Sequence, residues 1–543
     1  MQPLTRFYNL LQPDRKDVLQ VIFYAIFAGL VSLSLPLGIQ SIINFIQAGR
    51  VSVSWIVLII LVVFGVILVG ILSFMQMRIT ENIQQKLFIR SSFEFASRLP
   101  KIKTEILNNV NRSELANRFF ETFILQKGTS KLLLDFSAAL LQIVFGLLLL
   151  SLYHPFFIVF GLLLIGLIYF IFRFSYRSGV ETSLKESNYK YKSARWLQEI
   201  ARNKFSFKQA PNFQFVLQKN DSIVQKYLAA REKHFAVIKT QFTQLVIFKV
   251  LITASLLSIG GYLVLQQQMN IGQFVAAEIV ILLIINSVEK IILGLETVYD
   301  VLTAVEKIGQ VTDLPLDPES VREQIEVFEN ISIELENVSF NYSQAQKPIL
   351  KDINLRIEQG DKIYLSGNNG SGKTTLIRML AGLLFPVSGK LFVNETSVTS
   401  INLNDYRCNI GSIIQGETLF EGTLLENITF RNSDILPNDI KWIINGVQLT
   451  SVIKKLPKGL ETKIFLNDHQ LTSSDAQKIL LARSMINRPS VLFYEDPTNS
   501  MDEHIAKEVI DFIMDDAHQW TVIVTSKNKY WKSNCNPEIF MEE

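Results

Sequence analysis

Six stretches near the start of the chain are long and nearly free of charge, and nothing else in the sequence limits the fold as much. Crossing the roughly 30 Å hydrocarbon core of a bilayer takes about 20 apolar residues as helix. The stretches are 18–45 with Pro36 inside it, 53–75, 132–152, 155–172, 246–265 with Lys249 near its start, and 271–293 with Glu278 and Lys290. Buried helices of a water-soluble core do not run to this length without charge, so the first part of the chain reads as six membrane spans.

Loop composition orients them. The short connections hold Arg50, His154 and Gln266-Gln267-Gln268, whereas the long ones, 78–131 and 173–244, are rich in Lys and Arg. Lys and Arg concentrate on the cytoplasmic side. The long connections, the N-terminus and everything after the sixth span are therefore expected in the cytoplasm. Few Gly or Pro interrupt the long connections, so they read as membrane helices continued beyond the bilayer. Glu278 lies in an apolar helix, where a charge marks either a function or a place near the outer interface.

A net charge of +3 over 543 residues gives no reason to expect nucleic acid. Cys408 and Cys535 have neither zinc nor disulfide spacing and fit a reducing cytoplasm. The apolar run that follows the polar residues 1–16 is too long for a signal-peptide core. Pro315, Pro318 and the charged run 319–326 read as a solvated connector. The expected parts are a membrane domain 1–304, a linker 305–330 and a soluble domain 331–543.

In the soluble part, Ile333, Leu335 and Val338, then Ile353, Leu355 and Ile357, mark strands. Ile363-Tyr364-Leu365 runs into Gly367-Asn368-Asn369-Gly370-Ser371-Gly372-Lys373-Thr374, with Thr375 next and a helix predicted over 374–384. Strand, glycine-rich loop and helix form the context that a phosphate-binding loop requires. The glycines let several N–H groups face one anion, and the helix N-terminus adds its positive end. Lys373 is placed to reach the β- and γ-phosphates and Thr374 to hold Mg²⁺. ATP and Mg²⁺ are the expected cofactors.

Six spans with long cytoplasmic extensions, joined to one such domain, resemble a half-transporter of the ATP-binding cassette (ABC) exporters across nearly the whole chain. The resemblance implies a membrane α-helical domain of six transmembrane helices plus an α/β P-loop nucleotide-binding domain. It implies that Tyr342 stacks on adenine, and that Gln415, followed by Leu419-Phe420, joins Thr374 and Glu495 around Mg²⁺. Pro457 to Thr462, Lys478, Ala482-Arg483 and Pro489 match the surroundings of the family's signature segment. Val491-Leu492-Phe493-Tyr494 matches the strand that leads to the catalytic carboxylates, and Val522-Ile523-Val524-Thr525 the strand that leads to the switch histidine.

The departures from the family pattern fall on catalytic positions. Leu471-Thr472-Ser473-Ser474-Asp475 stands where the family has Leu-Ser-Gly-Gly-Gln. Two side chains replace glycines where backbone must approach a phosphate, and Asp475 adds a negative charge. Phe465-Leu466-Asn467-Asp468 lacks the glycines of the preceding segment. Glu495-Asp496 reverses the usual Asp-Glu order, which leaves Asp496 as a base candidate one methylene short. A misplacement of about 1 Å can cost on the order of 100-fold in rate. Ser526 replaces the switch histidine. The sequence stops at Phe540-Met541-Glu542-Glu543, so the matched domain is expected to be short at its C-terminus.

The family resemblance implies a second half-transporter as partner, the same chain or another, closing head to tail. It also implies membrane lipid as surroundings, a bacterial inner membrane as location and a periplasmic adaptor as a candidate partner. The expected activity is export driven by ATP binding with slow hydrolysis. The alternatives are a non-hydrolytic, ATP-gated or structural subunit, and a P-loop regulator with an unrelated membrane anchor, against which six spans argue. Likeness to bacterial half-transporters points to a peptide, protein or toxin as substrate, with lipid or drug export as the rival.

Overall fold

A computed structural model describes residues 3–47, 53–109, 112–318, 331–342, 348–465 and 471–542. Arg50, the charged run 319–326 and residues 466–468 lie outside the described residues. The chain divides into two compact units, Met1–Pro100 with Val110–Leu314, and Lys101–Asn109 with Pro315–Glu543.

The first unit consists of α1 (Pro3–Gln47), α2 (Val53–Lys101), α3 (Ser113–Tyr153), α4 (Phe156–Arg202), α5 (Gln214–Leu265) and α6 (Ile271–Thr312). Each is long and apolar enough to cross a membrane, and the protein is an integral membrane protein. Helix is enforced here because lipid offers the backbone no hydrogen-bond partners. α1 breaks at Leu33. Pro36 three residues later lacks an N–H and crowds the carbonyl four residues back. α4 has 47 residues, or about 70 Å at 1.5 Å per residue, so it extends well beyond the bilayer.

α6 is the centre of this unit. Half of its apolar window (50%) is buried, against 11% for α2. It starts at a reciprocal cap, with Asn270 Oδ1 accepting from Gln273 N at 2.7 Å and Gln273 Oε1 from Asn270 N at 2.9 Å. Further along, Tyr299 is fully buried and accepts a hydrogen bond from Gln241 Nε2 of α5 at 2.8 Å. A Cβ on Gly179 of α4 would lie 2.2 Å from the Tyr299 ring, so only glycine lets these helices close. In the extensions, buried Glu121 of α3 accepts from Lys190 Nζ (2.8 Å) and Tyr191 Oη (2.7 Å) of α4. Glu278 is half-buried, with no hydrogen bond or ion pair found for it among the described residues.

Two expected boundaries move. The helix of α6 continues to Thr312 and the units divide after Leu314, so a linker starting at 305 is corrected. Residues 301–309 are buried except for half-buried Glu306, and Thr303, Glu306 and Lys307 meet Ser183, Arg6 and Asn188, which favours helix over a solvated connector. The helix after the glycine loop covers Lys373–Leu380 and stops before the predicted 384.

In the second unit, antiparallel strands β1 (Ile333–Phe340), β2 (Leu350–Ile357) and β4 (Ser388–Val393) and the two residues Thr396–Ser397 form one four-stranded sheet, with β1 between β2 and β4. β3 (Lys362–Gly367), β5 (Ile410–Ile413), β6 (Val491–Glu495), β7 (Thr521–Thr525) and β8 (Glu538–Met541) form a parallel sheet in the order β8-β3-β7-β6-β5. β7 is buried throughout, and β6 up to its last residue, as strands covered on both faces must be. α7 (Lys373–Leu380), α8 (Ser473–Met485) and α9 (Glu503–Met514) pack in this unit. Residues 101–103 pair with 315–317 through Lys103 N to Pro315 O (3.2 Å) and Asp317 N to Lys101 O (2.7 Å). Arg407 then joins Asp317, at 2.7 Å, to the carbonyl of Gly382.

Away from the glycine loop, the His518 ring stacks on Trp520 at 4.4 Å and meets Phe512 at 5.0 Å and Trp442 at 5.5 Å. Burial among these rings holds the imidazole below its usual pKa, with Arg488 adding to the effect and Asp515 opposing it. A depressed folded pKa means that protonation opposes folding, so stability is full above the unfolded value of about 6.5 and falls as pH drops through the folded one. Tryptophan-monitored melting of the full-length protein should therefore lose midpoint between pH 7.5 and 5.5. His518→Phe should flatten that slope; an unchanged slope would refute the assignment.

Candidate nucleotide site

The parallel sheet brings the expected residues together at the C-terminal ends of its strands, where open α/β sheets place ligands. β3 ends at Gly367, β6 at Glu495, β7 just before Ser526 and β5 two residues before Gln415. Register puts Ile413 beside Tyr494 and Thr525 beside Glu495. Gln415, Glu495, Asp496 and Ser526 therefore line one groove of about 1170 Å³ with the glycine loop.

The loop needs its glycines. Gly372 has φ +90°, and a Cβ there would sit 2.8 Å from Leu350 Cδ2 and 3.0 Å from Ile349 O. A Cβ on Gly367 (φ +139°) would lie 2.5 Å from Met541 O. Asn368, Asn369 and Gly370 span the turn, and Lys373 Nζ folds over it, donating to Gly367 O (2.7 Å), Asn368 O (2.6 Å) and Ser371 Oγ (3.4 Å). No carboxylate among the described residues pairs with Lys373. A cation held only by neutral acceptors beside exposed loop amides suits a polyphosphate.

Glu495 organises the metal side. One of its oxygens accepts from the Thr374 hydroxyl and the other from Gln415 N at 3.0 Å. Hard oxygen donors next to a phosphate cradle suit Mg²⁺, which binds through few protein ligands. The residues present therefore fit Mg-ATP: the loop amides and Lys373 would hold the phosphates, with Thr374 and Glu495 beside the metal. The bound metal would neutralise phosphate charge. Tyr342 is half-buried, edge-on to Phe340 at 4.9 Å, with its hydroxyl 3.5 Å from Thr375 Oγ1. It reaches the loop through Thr375 but is not among the residues that line the groove.

Four of the departing residues, Thr472, Asp475, Asp496 and Ser526, hold backbone N–H groups. Thr472 caps α8: its Oγ1 accepts from Asp475 N (3.1 Å) and donates to Asp475 Oδ2 (2.8 Å), which also accepts from Thr472 N (3.0 Å). Leu471 and Ser473 line the groove, while Thr472, Ser474 and Asp475 do not. Asp496 has φ +46°, and its Oδ1 accepts from Lys527 N at 2.8 Å. Ser526 Oγ accepts from Asn528 N at 3.2 Å, and its carbonyl accepts from Tyr364 Oη at 2.5 Å. Burial raises the pKa of Tyr364, so that hydroxyl keeps its proton.

The sequence does not mark Gln477, which lines the groove and bonds to both ends of the turn after β6. Nor does it mark the bonds of Lys527 N to Asp496 Oδ1 and of Tyr364 Oη to Ser526 O. Nothing in the spacing along the chain joins these positions.

A six-helix membrane unit and an α/β unit with a phosphate loop at its sheet edge define a membrane-embedded nucleotide-binding protein. Two family models match the chain: "ABC transporter transmembrane region" over residues 18–288 and "ABC transporter" over 350–499. Together they cover well over half of it, and the chain belongs to the ABC transporters. It is 34% identical over 183 residues to "ATP-dependent permease MDL1" of Candida albicans, covering 33% of this chain and 27% of that protein. It is 29% identical over 263 residues to "Probable microcin-H47 secretion/processing ATP-binding protein MchF" of Escherichia coli, covering 46% and 36%. The chain thus spans about a third of the length of these curated relatives. "Structure of a bacterial Atm1-family ABC exporter with ATP bound" superposes with a TM-score of 0.86 at 16% identity, over 97% of this chain and 93% of that one. That likeness establishes an ABC exporter fold.

Lys373→Ala should weaken binding of a fluorescent ATP analogue at least tenfold, about 1.4 kcal/mol, in equilibrium titration. Gly372→Ala should do the same through the clash with Leu350. Affinity unchanged in both variants would exclude this loop as the phosphate site.

Proposed function

We propose that this chain is one half of a two-chain membrane exporter that binds ATP with Mg²⁺ at Tyr342 and residues 367–375 and hydrolyses it slowly. The observation that carries the reading is that the groups left to complete hydrolysis are engaged in backbone hydrogen bonds of their own. The Asp496 carboxylate holds Lys527 N, the Ser526 hydroxyl holds Asn528 N, and the Thr472 hydroxyl is shared with Asp475. In the arrangement we propose, each ATP lies between one chain's phosphate loop and the other's Leu471–Asp475 segment. Asp475 would then face a triphosphate with a carboxylate already neutralising the helix end. A homodimer carries these departures at both sites, and a heterodimer divides them between its two sites.

For the substrate we favour a peptide, protein or toxin. The support is the likeness to the microcin secretion protein above and to "Colicin V secretion/processing ATP-binding protein CvaB" of Escherichia coli, 29–28% identical. On this reading the chain lies in a bacterial inner membrane, with its ATP-binding unit in the cytoplasm and a periplasmic adaptor as the outer partner. Lipid or drug export is the rival. The apolar groove of about 550 Å³ among Leu140, Ile143, Ile168, Tyr169, Ile292 and Leu295 is open, with Leu140 and Tyr169 exposed, as a lipid-facing surface is, and does not decide between them.

Steady-state ATP turnover of the full-length protein in nanodiscs is expected below about 1 s⁻¹, at the low end of enzyme rates. A faster rate overturns slow hydrolysis. Uptake of a candidate substrate into inverted vesicles should disappear in Lys373→Ala. Uptake that persists would favour a structural role over an ATP-driven one.

A further inference from the structure

We propose that Gln477 is a positioning residue that sets the turn Asp496–Ser500 from the helix that begins at the signature segment. It thereby links this chain's own nucleotide site to the site that Leu471–Asp475 completes on a partner. The second half of this inference rests on the two-chain reading above; the first half does not.

The Gln477 amide spans both ends of the turn. Its Nε2 donates to Asp496 O at 2.8 Å, and its Oε1 accepts from Ser500 N at 2.9 Å. A carbonyl at one end and an N–H at the other fix which way the amide faces, since the flipped amide would oppose acceptor to acceptor and donor to donor. Asp, Glu, Lys or Arg can satisfy only one of the two ends. The turn needs such a hold. Asp496 takes a left-handed backbone conformation, uncommon without glycine, and its N–H is held by Thr525 O at 2.8 Å. With the Gln477 bond to its carbonyl, both peptide groups of Asp496 are fixed, and its side chain can then cap Lys527 N beside Ser526.

The other end of the link is equally firm. Gln477 lies on α8 five residues after its cap, Thr472. The residues that follow, Lys478 to Ala482, are buried, so the helix is anchored from behind. Ser473 and Gln477 from α8, and Asp496, Asn499 and Ser500 from the turn, all line the same groove. A displacement of the first turn of α8 therefore reaches Asp496 through one side chain, without passing through the core.

The test uses full-length protein in nanodiscs, with Gln477→Ala and Gln477→Glu. In Gln477→Ala, amide exchange at Ser500 and Lys527 should rise at least tenfold, while the glycine-loop peptide keeps its protection. Binding of fluorescent ATP should stay within twofold. Single-turnover cleavage of radiolabelled ATP, followed over hours, should slow about tenfold. Gln477→Glu keeps the acceptor for Ser500 N and loses the donor to Asp496 O. It should slow cleavage like alanine while Ser500 stays protected, a split that general loosening would not give. Wild-type exchange in Gln477→Ala, or loss of ATP affinity in step with the rate, overturns the proposal. Where the wild type binds ATP without cleaving it, the deciding measurement is ATP-induced protection of residues 496–500, expected in wild type and absent in Gln477→Ala. A wild type that does not bind ATP defeats the exporter reading instead, and the exchange at Ser500 and Lys527 still decides the clamp.

Discussion

Backbone amides in lipid must find their partners within the chain, and the first unit is organised by that requirement. It makes six helices obligatory but does not hold them together, because lipid tails compete with apolar side chains on equal terms. Close packing and polar contacts do that work. Gly179 admits Tyr299, Gln241 donates to its hydroxyl, and the Ser183 and Thr303 hydroxyls meet at 2.9 Å. Beyond the bilayer, where water competes for every charge, the joining of α3 to α4 passes to Glu121, which is buried enough for its bonds to Lys190 and Tyr191 to count.

In the second unit the parallel sheet is the corresponding constraint. Its strand order brings residues from distant parts of the chain to one edge, and the Glu495 carboxylate ties two of them, Thr374 and Gln415, into one acidic corner. Asp496 and Ser526, which directly follow two of these strands, sit on the same edge. Each is a short polar side chain next to free backbone groups, the situation in which Ser, Thr and Asp form local caps. Ser526 does so with Asn528, and Thr472 with Asp475 at the start of α8, whereas Asp496 reaches Lys527, 31 positions away. These bonds give the loops beside the groove defined conformations.

Hydropathy along the chain was enough to find the spans, because the bilayer sets a length that only a long apolar run can meet. The glycine loop was equally legible, since its function depends on consecutive residues. The end of α6 was not: prolines at 315 and 318 and the charges beyond them suggested a connector from 305, but buried contacts carry the helix to Thr312. The place of Tyr342 was only partly legible. The family resemblance puts it near the loop, and the fold sets its hydroxyl toward Thr375, outside the groove lining.

The sequence by itself therefore determined six membrane helices, a glycine-rich loop between strand and helix, and which side chains stand at Thr472, Asp475, Asp496 and Ser526, all of which are local in the chain. Tertiary structure decided the contacts of those that reach beyond their own turn. Whether Asp496 faces a water or a backbone N–H, and whether Gln477 meets the turn at Ser500, depends on strand order and helix placement. Hydrogen bonds act only over about 3 Å, and folding is what brings residues 19 to 31 positions apart within that reach.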